Sequence, residues 1–242
     1  MKIILKTLAI LLLFSSCKTH NIFEEKKGPL DKAAFTYDES YQYRIRKDDK
    51  ITISVWGEDN LSVGSTYGIY NSNEVYGKWL LVDANGNIEV PRIGTRNVLG
   101  KTIPEFKEEL KNELKKWLVT PVVDVKILNK EITILGEVRN PNTFIIDKEK
   151  NYLFEMLSKT GGFEFYANLK SIKILRQVGQ DVKITNIDLT KSDDILNENI
   201  LLHPGDVIIV PSKKNKEFDK RISTIIPFAT TITAAAILMK AL

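Results

Sequence analysis

Few side chains in this sequence have types and spacing that could support chemistry. The chain contains one cysteine, Cys17, and two histidines, His20 and His203. A disulfide framework, a zinc site or a Ser-His-Asp triad would have to use these three residues. The residues around them in the sequence favour none of these sites. Carboxylates that could cleave a glycan by acid–base catalysis are Asp83, Glu89, Asp124 and Glu137.

These four carboxylates fall in predicted turns or on strand faces, where solvated acids are expected. We therefore predict no catalytic residues, no metal site and no cofactor. The enzyme hypothesis, a glycan lyase or hydrolase, stays open as a minor alternative. Depolymerisation of a polysaccharide by the purified protein would support it.

The composition indicates a folded protein of two small domains with appendages. The chain has 242 residues, 43% of them hydrophobic, which is enough to bury a core. Its 35 basic and 31 acidic residues give a net charge of +4. Because the basic residues are scattered rather than clustered, the sequence gives no support for nucleic-acid binding.

The N-terminus has the features of a secretion signal. Two lysines precede the apolar run Leu8–Phe14, and Ser15-Ser16 stands directly before Cys17. This arrangement resembles a bacterial lipobox, with Phe14 in place of the usual Leu. The resemblance implies a signal peptide over residues 1–16, lipidation of Cys17 and a lipidated tether over residues 17–39. The alternative is an ordinary signal peptide with an incidental cysteine.

Residues 40–129 predict a first α+β domain. The predicted elements are a strand at Ile51–Trp56, a hairpin at Leu80–Ile93 about Asn85-Gly86, a helix at Thr102–Leu118 and a strand at Val122–Leu128. Thr102 and Glu105 have the spacing of a capping box at the start of the helix. The side chains predicted to face the core are Ile103, Phe106, Leu110, Leu114 and Trp117.

Residues 130–212 predict a second α+β domain. Its elements are strand–turn–strand over Glu131–Ile146, a helix at Asn151–Thr160, paired strands at Ile172–Leu175 and Val182–Ile187, and a turn and strand at Leu202–Pro211. Pro204-Gly205-Asp206 is similar to Lys47-Asp48-Asp49, since each is a turn that leads into a β-branched strand. A faint internal repeat is therefore predicted, and His203 is interpreted as a partly solvated residue beside its turn.

A long loop, Asn60–Gly77, separates the first two predicted strands. It contains Tyr67, Tyr70 and Tyr76, whose rings could stack on sugars. The alternative is that they cover the domain or contact a neighbouring subunit, since interfaces recruit tyrosine.

The C-terminus combines a charged linker, residues 213–221, with an apolar segment, residues 222–242. Ile222–Met239 has no charged residue and as a helix would be roughly 27 Å long, close to the thickness of a hydrocarbon core. Small and polar side chains share one side of this helix, which would face the lumen if several copies formed a ring: Ser223, Thr230, Thr231 and Ala234. The alternatives are a plain membrane anchor or a helix packed on a partner.

Several motifs resemble those of polysaccharide export proteins of the Wza type. They are Tyr43-Arg-Ile with Asp49-Lys-Ile-Thr-Ile-Ser-Val55, Val82-Asp83 with Gly86-Asn-Ile88 and Pro91-Arg-Ile-Gly94, Gly100-Lys-Thr102 with Glu105, and Pro121-Val-Val-Asp-Val125. Asp48 occupies the place of a usual glycine. In the second domain, Gly136-Glu-Val-Arg-Asn-Pro141-Asn142 and Gly161-Gly162 resemble the soluble-ligand-binding β-grasp module of the same family.

The resemblance implies a small polysaccharide-export domain followed by a β-grasp-like domain, anchored at both ends in the outer membrane. It also implies a homo-oligomeric ring that passes a capsular or extracellular polysaccharide, with an inner-membrane copolymerase or chain-length regulator as partner. The alternative function is a membrane-anchored glycan-binding or scaffold lipoprotein that forms no pore.

Overall fold

A computed structural model describes residues 35, 38–64, 79–190, 199–223, 226–227 and 231 of the chain. The chain forms two compact units, Leu30–Ser212 and the combination of Met1–Pro29 with Lys213–Leu242. The first of these units contains both predicted α+β domains.

The first domain is built on a short antiparallel sheet. Its elements are β1 (Lys50–Val55), a 3-10 helix (Asp59–Leu61), β2 (Leu80–Leu81), β3 (Asn87–Val90), β4 (Gly94–Asn97), α1 (Ile103–Leu114) and β5 (Val123–Ile127). The sheet order is β2-β1-β5, and β3 and β4 form a separate antiparallel hairpin. Alternating residues of β1 and β5 turn toward the core, as the period of two in their sequences predicts.

Helix α1 covers the core of this domain. Thr102 caps it by accepting the Glu105 N–H, and the Glu105 carboxylate accepts the Thr102 N–H, so the predicted capping box is confirmed. Phe106, Leu110 and Leu114 are buried among the strand residues, as predicted.

The prediction that α1 continues to Leu118 with Trp117 facing the core was wrong. The helix ends at Leu114, and the Trp117 side chain is 50% exposed. The Trp117 N–H donates to the Leu114 carbonyl at 2.9 Å. This bond spans three residues instead of four, and the tighter turn carries Trp117 away from the buried face.

The predicted hairpin over Leu80–Ile93 was also wrong, although its turn forms. Gly86 has φ +84°, and the Asp83 N–H donates to the Asn87 carbonyl at 2.9 Å. However, β2 pairs with β1, and β3 pairs with β4. The Val82 N–H donates to the Asp49 carbonyl at 2.9 Å, which continues the β2–β1 pairing beyond Leu81.

In its described residues, 130–190 and 199–212, the second domain contains a five-stranded mixed sheet and one helix. Its elements are β6 (Glu131–Gly136), β7 (Asn142–Ile145), β8 (Asn151–Tyr152), α2 (Leu153–Lys159), β9 (Ile172–Val178), β10 (Asp181–Ile187), β11 (Leu201–Leu202) and β12 (Val207–Val210). The sheet order is β10-β9-β12-β6-β7, with β12 parallel to β6. The predicted strand pairs β6–β7 and β9–β10 are confirmed, and so is the α+β class.

The helix of the second domain begins two residues later than predicted. Asn151 and Tyr152 form β8, which pairs with Leu201 and Leu202. Leu153, Met156 and Leu157 of α2 are buried in a second core, and among the described residues this core shares none with the core of the first domain.

Several predicted features lie outside the described residues. They are the signal peptide, Cys17, the loop tyrosines Tyr67, Tyr70 and Tyr76, and Thr230 and Ala234 of the tail. Within the tail, residues 216–223, 226–227 and 231 are helical, and Ser223 and Thr231 are exposed. In the described parts of the chain, no helix has both the length and the apolar content needed to cross a membrane.

Candidate functional site

Two turns, at residues 46–49 and 203–206, each contain a buried aspartate, and we call them the aspartate turns. In the first turn, Asp48 adopts φ +66° where the family pattern has glycine, and the Asp49 carboxylate accepts the Arg46 N–H at 2.7 Å. In the second, Gly205 has φ +93°, and the Asp206 carboxylate accepts the His203 N–H at 2.8 Å. The predicted resemblance between the two turns therefore extends to their hydrogen bonds.

Each buried carboxylate also accepts hydrogen bonds from a long side chain of its own domain. The Tyr43 hydroxyl donates to Asp49, with both carboxylate oxygens at 2.9 Å. Arg176 donates to Asp206 through Nε at 2.9 Å and Nη2 at 2.7 Å, a bidentate geometry. Burial raises the pKa of both carboxyls, and these hydrogen bonds oppose that rise.

The two turns meet where the domains join. The Arg46 Nη1 donates to the Pro204 carbonyl at 3.1 Å, and the Tyr41 and His203 rings stack with centroids 3.7 Å apart and planes at 11°. We call Tyr41, Arg46, His203 and the Pro204 carbonyl the junction clasp. Gly205 lies close to the clasp, because a Cβ atom added there would be 3.4 Å from Arg46 Nη1.

The linker between the domains is held by its own hydrogen bonds. The Asn129 side-chain amide donates to the Asp48 carbonyl at 2.9 Å, and its oxygen accepts the Lys50 N–H at 2.8 Å. The next residue, Lys130, is buried and places Nζ 5.9 Å from the Tyr43 ring centroid. The chain therefore enters the second domain directly beside the first aspartate turn.

His203 is neutral in this setting at ordinary pH. Burial, followed by the positive charges of Arg176 and Arg46, lowers the pKa of His203 to about 4, while Asp38 acts in the opposite direction. The ring therefore stacks on Tyr41 as an uncharged aromatic group. The sequence-based interpretation of a partly solvated histidine beside a turn is consistent with its partial burial, but it missed the stacking partner.

A polar groove runs along the segment that leads into β1. It has a volume of about 410 Å³ and is lined by Asp38, Ser40, Tyr41, Gln42, Arg44 and Arg46. The Arg44 Nη1 donates to the Gly100 carbonyl at 2.8 Å, which holds this side chain against the first domain. Guanidinium and amide groups in a shallow groove could donate hydrogen bonds to hydroxyl or carboxylate oxygens.

Three of the four carboxylates considered for catalysis accept hydrogen bonds within the first domain. Asp83 accepts the N–H groups of Asn85 and Asn87, each at 2.8 Å. Glu89 accepts the Thr95 hydroxyl, and Asp124 accepts Lys107 Nζ. Glu137 follows β6 in the second domain. Among the residues that the structure describes, no group of acidic, histidine or cysteine side chains could hold a metal ion.

Sequence reasoning missed most of the junction. It identified the two turns but not the roles of Tyr43 and Arg176, which lie outside them. One available signal was a charged residue on the buried face of β9, where Arg176 follows Ile172 and Ile174 at the period of a strand. An arginine at a core position requires a buried anion, and Asp206 is that anion.

The fold and the junction define a two-domain α+β protein in which an arginine and two stacked aromatic rings join the domains. Comparison with known families gives the particular family. A model described as "Polysaccharide biosynthesis/export protein" matches residues 38–128, and the SLBB domain model matches residues 130–210. The chain belongs to the polysaccharide biosynthesis/export protein family.

Curated relatives agree with this assignment. The chain is 28% identical over 188 residues to the EPS I polysaccharide export outer membrane protein EpsA of Ralstonia nicotianae, covering 72% of this chain and 49% of that protein. It is 29% identical over 204 residues to EpsA of Ralstonia solanacearum, covering 76% and 53%. It is 27% identical over 132 residues to the capsule polysaccharide export outer membrane protein CtrA of Neisseria meningitidis serogroup A, covering 53% and 33%. The chain thus spans about half the length of the EpsA proteins.

Proposed function

We propose that this chain is an outer-membrane lipoprotein subunit of an oligomeric channel that exports capsular or extracellular polysaccharide from the periplasm. The observation that carries the proposal is the order of the two matched domains, which together account for residues 38–128 and 130–210. The names of the relatives supply the class of cargo and the membrane.

In this proposal the two ends of the chain attach the folded domains to the membrane. Lipid on Cys17 holds the N-terminus, and burial of acyl chains contributes about 0.8 kcal/mol per CH₂ group. The apolar segment of residues 222–242 enters the bilayer, with Ser223, Thr230, Thr231 and Ala234 toward the lumen. The helical state of residues 216–223, 226–227 and 231 supports a helix at the start of this segment.

The proposed mechanism is passage of the polymer without chemistry. Copies of the two-domain body form a ring, and a wide hydrated lumen avoids tight contacts that would hold a long polysaccharide. An inner-membrane copolymerase or chain-length regulator delivers the polymer across the periplasm. In support, three of the four candidate carboxylates, Asp83, Glu89 and Asp124, already accept hydrogen bonds from groups of the first domain.

The direct test is electron-microscopic imaging of the detergent-extracted full chain, compared with a variant that ends at Arg221. We expect rings from the full chain, and loss of membrane-spanning density from the shortened variant. A Cys17→Ser variant is the matched control for the lipid, because it keeps the tail. Monomers in every sample would overturn the channel proposal.

A second candidate function is a membrane-anchored glycan-binding lipoprotein without a pore. The polar groove beside Arg44 and Arg46 favours it, since its donors suit sugar hydroxyls and acidic sugars. The tyrosines of the loop, Tyr67, Tyr70 and Tyr76, remain candidates for glycan or subunit contact. A monomer in detergent that binds oligosaccharide would favour this function over the channel.

A further inference from the structure

The junction clasp joins residues that are far apart in sequence, at a place that lies close in space to the covalent link. The Gly205 N–H donates to the Glu131 carbonyl at 2.7 Å, two residues beyond Asn129. The covalent connection passes through Asn129, between the two matched domains. The Arg46 bond to the Pro204 carbonyl links residues separated by 158 positions in sequence. The stacked Tyr41 and His203 rings form another link of similar sequence separation.

Two of the clasp residues, Arg46 and His203, are held by turns whose aspartate side chains are buried. Arg46 and His203 are the residues whose N–H groups bind the Asp49 and Asp206 carboxylates. The two aspartates are 5% and 1% exposed, so rotation of either turn would break hydrogen bonds of a buried carboxylate. The contacts that cross the junction therefore start from fixed backbone positions.

A single covalent link would act as a hinge, because a short connection leaves the dihedral angles around it free. The two clasp contacts, made by the neighbouring residues His203 and Pro204, add restraints on rotation about that hinge. The Asn129 side chain adds a restraint at the hinge, since it bonds the Asp48 carbonyl and the Lys50 N–H. The domain angle is therefore set by side chains as well as by the linker.

We propose that the junction clasp fixes the angle between the two domains, with Tyr41 and Arg46 as the positioning residues. The two domains then enter an assembly as one rigid block, a consequence that rests on the proposed channel function. When each subunit is a rigid block, the angle between its two domains determines whether a ring of a given size can close.

The test measures the distance between the domains by double electron–electron resonance. Spin labels are attached at Glu108→Cys in the first domain and Asp181→Cys in the second, both exposed positions. Cys17→Ser removes the chain's one native thiol. The labelled full chain in detergent is diluted with unlabelled chain, so that distances within one chain dominate.

We expect one narrow distance distribution for the parent chain and a distribution at least twofold wider for Tyr41→Ala combined with Arg46→Ala. Tyr41→Phe with Arg46→Lys keeps a ring and a donor and should restore a narrow distribution. Arg44→Ala is the matched control, because its guanidinium bonds Gly100 within the first domain. The control should leave the width unchanged.

Two results would overturn the proposal. A broad distribution in the parent chain would show that the domains rotate freely despite the clasp. A narrow distribution that persists in the double alanine variant would show that the linker alone sets the angle. Near-ultraviolet circular dichroism of each variant checks that both domains remain folded. These distances are measured within one chain, so a failed clasp and a failed ring are separate outcomes.

Discussion

At the scale of single residues, Arg176 and Asp206 form a buried ion pair in the second domain. The two side chains are 6% and 1% exposed, and Arg176 Nη2 also donates to the Leu201 carbonyl at 2.9 Å. Removing one partner leaves the other charge buried without compensation. We expect Arg176→Ala to lower the free energy of unfolding by about 3–5 kcal/mol, measured by urea denaturation.

The control for this prediction is Lys111→Ala. Lys111 pairs with Glu108 on the surface of α1, where the two side chains are 35% and 64% exposed. Such a pair contributes about 0.5 kcal/mol or less, because water and salt screen it. Equal losses for Arg176→Ala and Lys111→Ala would contradict the prediction.

His203 should make stability depend on pH. The unfolded histidine has the ordinary pKa of 6.5, and folding lowers the pKa of His203 to about 4. As the pH falls below 6.5, the unfolded chain therefore binds a proton that the folded chain does not. Stability from this group is complete above pH 6.5 and declines toward pH 4, by on the order of 1 kcal/mol after allowance for solvent screening of a partly exposed ring.

Urea denaturation of the parent chain and of His203→Phe between pH 7 and pH 4 tests this dependence. Phenylalanine keeps the aromatic stack with Tyr41 but does not titrate. Because all other titratable groups are common to both chains, the difference between the two profiles isolates His203. Parallel profiles across this range would show that His203 contributes no pH dependence.

At the scale of elements, Gly136 determines how β6 can pair with β12. It has φ +96°, and a Cβ atom added there would lie 2.0 Å from the Val210 carbonyl oxygen. Gly136 also faces Val210 in the parallel register of these strands. We expect Gly136→Ala to lower the free energy of unfolding by more than about 2 kcal/mol, because backbone strain and a steric clash combine.

Gly179→Ala separates the strain from the clash. Gly179 lies in the β9–β10 turn of the same domain with φ +63°, and a Cβ atom added there would meet open space. Its cost should be about 1 kcal/mol, the strain alone. If thermal denaturation gives both variants the same melting temperature, the close approach to Val210 has no energetic consequence.

Local sequence patterns predicted the elements well and their pairing less well. The capping box of Thr102 and Glu105 predicted the start of α1, because all its partners lie within four residues. Asn85-Gly86 predicted a turn that exists, but a turn does not specify which strands pair beyond it. The Val82 N–H donates to the Asp49 carbonyl, which lies 33 positions earlier in the sequence. No local sequence pattern specifies that pairing.

At the scale of the whole molecule, the junction could not be predicted from sequence for the same reason. The two aspartate turns were visible as a faint repeat, but their meeting depends on contacts such as Arg46 with Pro204 across 158 positions. Arg176 lies 30 positions from Asp206, and no sequence motif links the two residues. Sequence thus identified the family and the turns, and the structure was needed to show that the turns form one site.

The two domains have separate cores, which makes a final prediction possible about how the molecule unfolds. Phe106 is fully buried in the first core, so Phe106→Ala should destabilise that domain by about 3–5 kcal/mol. Because the second core shares no residue with the first, we expect faster amide exchange in α1 and β5 and unchanged exchange in β9 and β10. Hydrogen–deuterium exchange with mass spectrometry measures both regions in one sample.

Trp117→Ala is the control, since Trp117 is 50% exposed and the loss of its ring should alter neither region. Equal acceleration in both domains of Phe106→Ala would mean that the junction clasp couples their unfolding as well as their orientation.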